Sequence, residues 1–150
     1  MRNEPPPPAL ALFRKTEASG MKNQEPAVPP GKIVLIVEDE FLIRSLLSDD
    51  LQTRGWVTIE ASHAAEALAI LEARPDIPLV FSDVRMPGKL DGIALVAVIH
   101  LRFPRIKCVL TSAFSANASC LHETFISKPY DLDEVDTVLK LELKVSDARA

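Results

Sequence analysis

Glycine is scarce in this sequence, and its glycines form no nucleotide-binding pattern. Five glycines occur among the 150 residues. They match neither the GxGxxG fingerprint of dinucleotide-binding domains nor the P-loop of nucleotide hydrolases. A flavin or dinucleotide module could share an α/β fold with this chain, but the glycine pattern makes it a poor alternative.

Cysteine and long apolar runs are also in short supply. Cys108 and Cys120 lack the spacing of a disulfide framework or a zinc site, which predicts reduced thiols, and Cys108 is expected in the core. The longest apolar stretches, such as 93–99, are far shorter than the roughly 20 residues of a membrane span. Pro5–Pro8 interrupts the N-terminus before a signal sequence can form. We therefore expect a cytoplasmic protein with no membrane insertion.

The charges give no sign of a nucleic-acid partner. The formal net charge is −4, and the basic residues form no stripe of the kind that follows a phosphate backbone. The three histidines, His63, His100 and His122, show no metal-ligand spacing. Nucleic-acid binding is therefore not expected.

Proline marks a boundary between a tail and a folded domain. Residues 1–30 contain seven of the twelve prolines of the chain, at positions 5–8, 26, 29 and 30, among polar residues. This composition predicts a disordered tail. Either Met1 or Met21 could be the true start. We expect a folded domain over 31–143 and a flexible C-terminus over 144–150.

The folded part alternates between strands and helices. Strands are predicted at 33–37, 57–61, 79–82, 106–111 and 124–127. Helices are predicted at 41–54, between Ser62 as N-cap and Pro75, at 93–102, and from Asp131, with weak helical character over 115–122. This alternation predicts an α/β, flavodoxin-like, doubly wound five-stranded parallel sheet with helices on both faces, and a fourth helix that is short or irregular.

Polar residues follow four of the predicted strands. They are Glu38 and Asp39, then Asp83, then Thr111 and Ser112, and finally Lys128. The carboxyl ends of parallel strands form the binding crevice of such a sheet, so we expect these side chains to meet there. Clustered carboxylates repel one another, and oxygen ligands favour Mg²⁺. A lysine and a hydroxyl would suit a transferring phosphoryl group, with Asp83 as nucleophile.

These segments, taken together, resemble the response-regulator receiver family of two-component signal transduction. The matching runs are 34–40 (VLIVEDE), 82–88 (SDVRMPG), 91–92 (DG), 110–113 (LTSA) and 128–130 (KPY). They occur in the family's order, and the resemblance covers about residues 32 to 143. It implies a phosphoacceptor signalling domain, not an enzyme acting on a separate substrate, of the single-domain chemotaxis type.

The resemblance implies a role for each of these residues. Asp83 corresponds to the phosphoacceptor, Glu38 and Asp39 to the acidic pair that holds Mg²⁺, and Lys128 to the lysine that contacts the phosphoryl oxygens. The metal's further ligand would be the main-chain carbonyl of Arg85. Pro129 resembles the family's cis-proline.

The switch residues are less sharply defined. Ser112 is the favoured switch hydroxyl because small Ala113 follows it, and Thr111 is the alternative. Phe125 matches the family's aromatic switch position, although an ordinary core phenylalanine would explain it equally well.

Two departures and two competing functions are also visible. The acceptor loop is one residue longer than the commonest family form, and the short interval from Ser112 to Lys128 leaves little room for a full fourth helix. A haloacid-dehalogenase-type phosphatase would need an aspartate where Arg85 stands. A degenerate receiver, which binds a partner without phosphorylation, is the stronger alternative.

The resemblance also implies partners. The phosphoryl donor would be a histidine kinase or a histidine phosphotransfer protein. About seven residues follow the last predicted helix, so we expect no attached effector domain and signalling through an unknown downstream protein.

Overall fold

The computed structural model describes residues 31–113 and 123–145. Within these ranges the strands are β1 (Ile33–Val37), β2 (Val57–Ala61), β3 (Leu79–Asp83), β4 (Lys107–Ser112) and β5 (Thr124–Ser127). The helices are α1 (Phe41–Thr53), α2 (Ala64–Ala73), α3 (Gly92–Arg102) and α4 (Leu132–Leu143).

All five strands join one parallel sheet in the order β2-β1-β3-β4-β5. The chain passes from β1 outward to β2 and then returns to place β3 on the other side of β1. This reversal of direction lies between β1 and β3, and in open α/β sheets it opens a crevice at the carboxyl ends of these strands. The predicted flavodoxin-like fold is confirmed.

One face of the sheet packs against α2 and α3. Alternate strand residues, such as Leu35, Val80 and Leu110, form a buried cluster with Leu71 of α2 and Ile99 of α3. Nearly continuous apolar strands are expected where both faces of a parallel sheet are covered, because each successive side chain then enters one of two cores.

The opposite face packs against α1 and α4. Here Phe81 and Ile126 form a second buried cluster that includes Leu51 of α1 and Leu139 of α4. Leu47 of α1 also enters this core, whereas its neighbour Leu46 is 63% exposed.

Aspartate side chains cap α3 and α4, and the start at Asp131 was predicted. The side chains of Asp91 and Asp131 accept hydrogen bonds from Ala94 N and Glu134 N, which are the third residues of their helices. Ser62 was predicted to cap α2, and this was wrong. His63 is the N-cap, and its Nδ1 accepts from Glu66 N at 3.2 Å.

Ser62, one residue before the N-cap, also stabilises the first turn of α2. Its backbone N–H and its hydroxyl both donate to the Glu66 carboxylate, at 2.8 and 2.9 Å. Glu66 therefore reaches back over the start of the helix, which stabilises the N-terminus of α2.

Small differences also occur at strand and helix ends. The strand β4 begins at Lys107 and includes Ser112, one residue later at each end than predicted, and α3 begins at Gly92. Trp56 directly precedes β2 and is buried, with its Nε1 donating to Asp136 Oδ1 at 2.8 Å.

Several predictions fall on residues outside the described ranges. These are the Pro-rich tail over 1–30, the weak fourth helix over 115–122, the positions of Cys120 and His122, and the C-terminal residues 146–150. None of the helices that the structure describes is long and apolar enough to cross a bilayer.

Candidate functional site

Three carboxylates converge where β1 and β3 end. Glu38 and Asp39 directly follow β1, and Asp83 is the last residue of β3. One oxygen from each carboxylate lies within 4.8 Å of the others. Glu38 and Asp83 are buried, while Asp39 is exposed at the mouth of the crevice. The predicted acidic cluster is therefore assembled by the fold.

Lys128 reaches the same point from the end of β5. Its Nζ donates to Asp83 Oδ2 at 2.8 Å and lies 3.5 Å from Glu38 Oε1. Its backbone N donates to the Ser112 carbonyl at 2.9 Å, which fixes the start of the turn after β5. The peptide bond between Lys128 and Pro129 is cis, as predicted.

Burial and charge act against each other in this cluster. Burial raises the pKa of Glu38, with the backbone N–H of Glu40 and the ammonium of Lys128 opposing that rise. For Lys128, burial alone would lower the pKa, but the hydrogen bond to Asp83 and the charges of Asp83 and Glu38 outweigh it, so that the pKa is raised. Lys128 therefore stays a fixed cation, which leaves three formal negative charges facing one positive charge.

The backbone around Asp83 is held closely. Arg85 N donates to Asp83 Oδ1 at 3.1 Å, so each carboxylate oxygen has a donor. Gly92 N donates to Val84 O at 2.8 Å, and a Cβ added at Gly92 would lie 2.1 Å from the Asp83 carbonyl oxygen. Helix α3 can begin directly against the backbone of Asp83 only because Gly92 has no side chain.

The two candidate switch hydroxyls occupy different registers of β4. Thr111 pairs with Asp83 across the sheet, whereas Ser112 pairs with Ser127. Both residues are buried. The Thr111 hydroxyl has no hydrogen-bond partner within residues 31–113 and 123–145, whereas the Ser112 carbonyl is tied to the Lys128 backbone.

The two aromatic residues near the site lie on different faces of the sheet. Phe125 is half-buried and packs against the cluster shared with α2 and α3. Tyr130 packs edge-on against Phe81, with ring centroids 6.0 Å apart, and burial raises the pKa of its hydroxyl. Phe125 as a switch remains a prediction.

Arg44 belongs to the surroundings of the site, although its sequence position gave no reason to single it out. It lies in the first turn of α1, and its Nη1 donates to the main-chain carbonyl of Glu38 at 2.7 Å. Its Nε lies 3.1 Å from Glu60 Oε1 on β2. The sequence shows only a basic residue five positions after the acidic pair.

The cluster fits a hard divalent cation. Its donors are carboxylate oxygens, which are the ligands that Mg²⁺ prefers, and exposed Asp39 leaves room for water ligands. A divalent cation would also neutralise the excess of negative charge that Lys128 does not balance. The carboxylates Glu38, Asp39 and Asp83 are the described residues that could hold it.

Comparison with known families gives a match over most of the chain. Residues 34–140 match the family model of the response regulator receiver domain. The chain is 30% identical over 115 residues to Sporulation initiation phosphotransferase F from Bacillus subtilis. The match covers 71% of this chain and 90% of that protein. The chain is 41% identical over 83 residues to Response regulator protein FleR from Pseudomonas aeruginosa. That match covers 55% of this chain but only 17% of FleR.

Solved structures give the same result. A response regulator protein TrrA from Thermotoga maritima, crystallised in complex with Mg(2+)-BeF, has a TM-score of 0.69 and 30% identity, covering 75% of this chain and 99% of that one. The receiver domain from the hybrid histidine kinase CckA has a TM-score of 0.65 and 32% identity, covering 74% of this chain and 98% of that one.

Proposed function

This chain belongs to the response regulator receiver domain family, and from that premise we propose that it accepts a phosphoryl group on Asp83 in a Mg²⁺-dependent reaction. The observation that supports this most directly is the contact of Lys128 with Asp83 beside two further carboxylates. These groups come from three separate strand ends, and two of the carboxylates are buried; because burying neighbouring carboxylates is costly, such a cluster favours a functional role.

The reaction would proceed by in-line displacement at phosphorus. A carboxylate oxygen of Asp83 forms a bond to the phosphorus of a phosphohistidine, and the bond from phosphorus to the imidazole nitrogen breaks. The electron pair of that bond stays on the imidazole of the donor. Lys128 lies within hydrogen-bond distance of Asp83 and would stabilise the charge that moves onto the equatorial oxygens.

Magnesium would complete the charge balance. Glu38, Asp39 and Asp83 would hold the ion, together with the main-chain carbonyl of Arg85. When bound, Mg²⁺ supplies Lewis-acid stabilisation of the phosphoryl oxygens. Ser112 and Phe125 remain our proposed switch pair. The Ser112 carbonyl accepts a hydrogen bond from the Lys128 backbone N, so Ser112 would respond to a change at Lys128.

A protein is the proposed donor, either a histidine kinase or a histidine phosphotransfer protein. Phe41, Leu42 and Leu46 on α1 are 63%, 78% and 63% exposed, and α1 begins two residues after Asp39. The donor protein would cover these three side chains when its histidine reaches Asp83, because large exposed apolar side chains are typical of surfaces that a partner buries. We place this exchange in the cytoplasm, with signalling through protein contacts.

The proposal extends to domain organisation. The receiver domain would comprise residues 31–143, with a Pro-rich tail before it and a short flexible segment after it. The curated relatives include proteins, such as FleR, of which this chain spans less than a fifth.

The proposed function is tested by phosphorylation with acetyl phosphate and Mg²⁺, followed by intact-mass spectrometry. The wild type should gain one phosphoryl group that is labile in base, as an acyl phosphate is. Asp83→Asn should gain none, and omission of Mg²⁺ should abolish labelling of the wild type. Asp76→Asn is the matched control, since Asp76 is exposed and pairs with Arg74 away from the site.

Two results would contradict this assignment. Equal labelling of Asp83→Asn would show that another residue is the acceptor. A wild type that stays unlabelled by acetyl phosphate and by a panel of phosphorylated histidine kinases would favour the degenerate receiver, which acts as a phosphorylation-independent binding module.

A further inference from the structure

The turn that carries the acidic pair is held from two sides. The backbone N–H of Glu38 donates to the Ala61 carbonyl at the end of β2, at 3.1 Å. Its carbonyl accepts from Arg44 Nη1 at 2.7 Å, and its carboxylate accepts from Glu40 N at 3.1 Å. The position of Glu38 therefore depends on contacts outside the crevice as well as on Lys128.

Arg44 provides one of these contacts and is itself anchored. Its side chain is only 13% exposed and bridges two elements, with Nη1 on the turn after β1 and Nε on Glu60 of β2. The guanidinium carbon also lies 5.4 Å from the ring centroid of Phe41. Because the planar guanidinium donates in fixed directions, its contact with Glu60 determines how it meets the Glu38 carbonyl.

The start of α1 has little other support. Within the described residues, the side chain of Glu40, which precedes the helix, makes no capping hydrogen bond. The helix has no acidic residue in its first turn, although such a residue would stabilise its N-terminus. Arg44 connects this first turn of α1 to Glu38, the residue directly after β1.

We propose that Arg44 is a positioning residue that holds the Glu38–Asp39 turn in the geometry that binds Mg²⁺. This inference rests on the proposed function, because it assumes that the acidic pair holds this ion. Arg44 would act through the backbone of Glu38 and would not touch the metal. Outer contacts of this kind typically change metal affinity by roughly 10–100-fold when they are removed.

The charge of Arg44 would have the opposite effect. A cation near three carboxylates opposes the binding of another cation, so removing the charge alone should tighten Mg²⁺ binding. Removing the hydrogen bonds should weaken it, because the turn would have to be ordered when the ion binds. The sign of the change therefore distinguishes positioning from simple electrostatics.

The experiment is isothermal titration of the full chain with MgCl₂, using Arg44→Met and Arg44→Lys, with Arg74→Met as the matched control. Arg74 forms an exposed pair with Asp76, so its variant should bind as the wild type does. Arg44→Met should raise the Kd for Mg²⁺ about tenfold. Arg44→Lys keeps the charge but cannot reproduce both fixed contacts, so its Kd should also rise, by a smaller factor.

Circular dichroism melts check that each variant is folded. Glu60→Gln offers a second route if the Arg44 variants fail to fold, because it removes the ionic anchor of Arg44 at a partly exposed position. It should raise the Kd by a few-fold. Wild-type affinity in Glu60→Gln, when the Arg44 variants are unfolded, would overturn the inference.

The other outcomes are equally decisive. Unchanged affinity in folded Arg44→Met, or tighter binding in it, would overturn the positioning role. A wild type that binds no Mg²⁺ would overturn both this inference and the metal dependence of the proposed function. A wild type that binds Mg²⁺ but is never phosphorylated would overturn the proposed function and leave the role of Arg44 intact.

Discussion

The unpaired hydroxyl of Thr111 gives a prediction that separates folding stability from signalling. Its oxygen is buried and has no hydrogen-bond partner among the residues that the structure describes. Leaving a hydroxyl buried and unpaired costs about 1–3 kcal/mol. Valine has nearly the same shape as threonine but carries a methyl group in place of the hydroxyl, so Thr111→Val should remove this cost without opening a cavity.

The expected gain in unfolding free energy is about 1 kcal/mol, the lower end of that range, which corresponds to a rise in Tm of roughly 4 °C in a domain of this size. Urea unfolding followed by fluorescence of Trp56, the single tryptophan, measures it. A loss of stability in Thr111→Val would refute the reasoning, since it would mean that the hydroxyl is satisfied and contributes to the fold.

The same variant tests which residue is the switch. If Ser112 is the switch hydroxyl, Thr111→Val should keep the full rise in Tm that Mg²⁺ and beryllofluoride produce in the wild type, whereas Ser112→Ala should lose much of it. The reverse result would assign the switch to Thr111, which is paired with Asp83 across the sheet.

Two further predictions concern stability away from the crevice. Asp136→Ala should lower the unfolding free energy by about 2 kcal/mol, because it leaves Trp56 Nε1 buried without its charged acceptor; urea unfolding measures this, and a change as small as that of the exposed-site control Asp49→Ala would contradict it. Burial, with the charges of Glu123 and Glu142, raises the pKa of Cys108 from 9.0 to about 12. The folded state thus keeps a proton that the unfolded state loses, so stability should be full below about pH 9 and fall by up to about 1.4 kcal/mol per pH unit as pH rises toward 12. The decline should be shallower in Cys108→Ala, and equal slopes would show that the thiol does not contribute.

The strands were predictable because burial on both faces of a parallel sheet gives a continuous apolar run, while the sheet topology was predicted from the alternation of strands and helices. The run 33–37 is wholly apolar, and β3 begins with the apolar residues 79–81, so the polar residues that follow these runs fall at one edge of the sheet by topology alone. This is why the sequence alone predicts that Glu38, Asp83 and Lys128 lie together.

Contacts between separate elements could not be predicted in the same way. The role of Arg44 depends on β2 lying beside β1, which brings Glu60 within reach of the first turn of α1. Gly92 looked like a loop residue, yet it is the first residue of α3 and packs against the backbone of Asp83. Neither fact is contained in local spacing.

The choice between Thr111 and Ser112 shows where a pattern becomes ambiguous. Successive strand residues point to opposite faces, so a one-residue change in the strand end exchanges the two hydroxyls. Thr111 lies on the same face of β4 as Val109, which packs against α1 and α4. Ser112 lies on the same face as Leu110, which packs against α2 and α3. Ser112 is also the last residue of β4, and such an end residue can change direction without breaking the core. Ser112 pairs with Ser127 at this strand end, whereas Thr111 lies one residue further inside the strand, and the end position favours Ser112 as the switch.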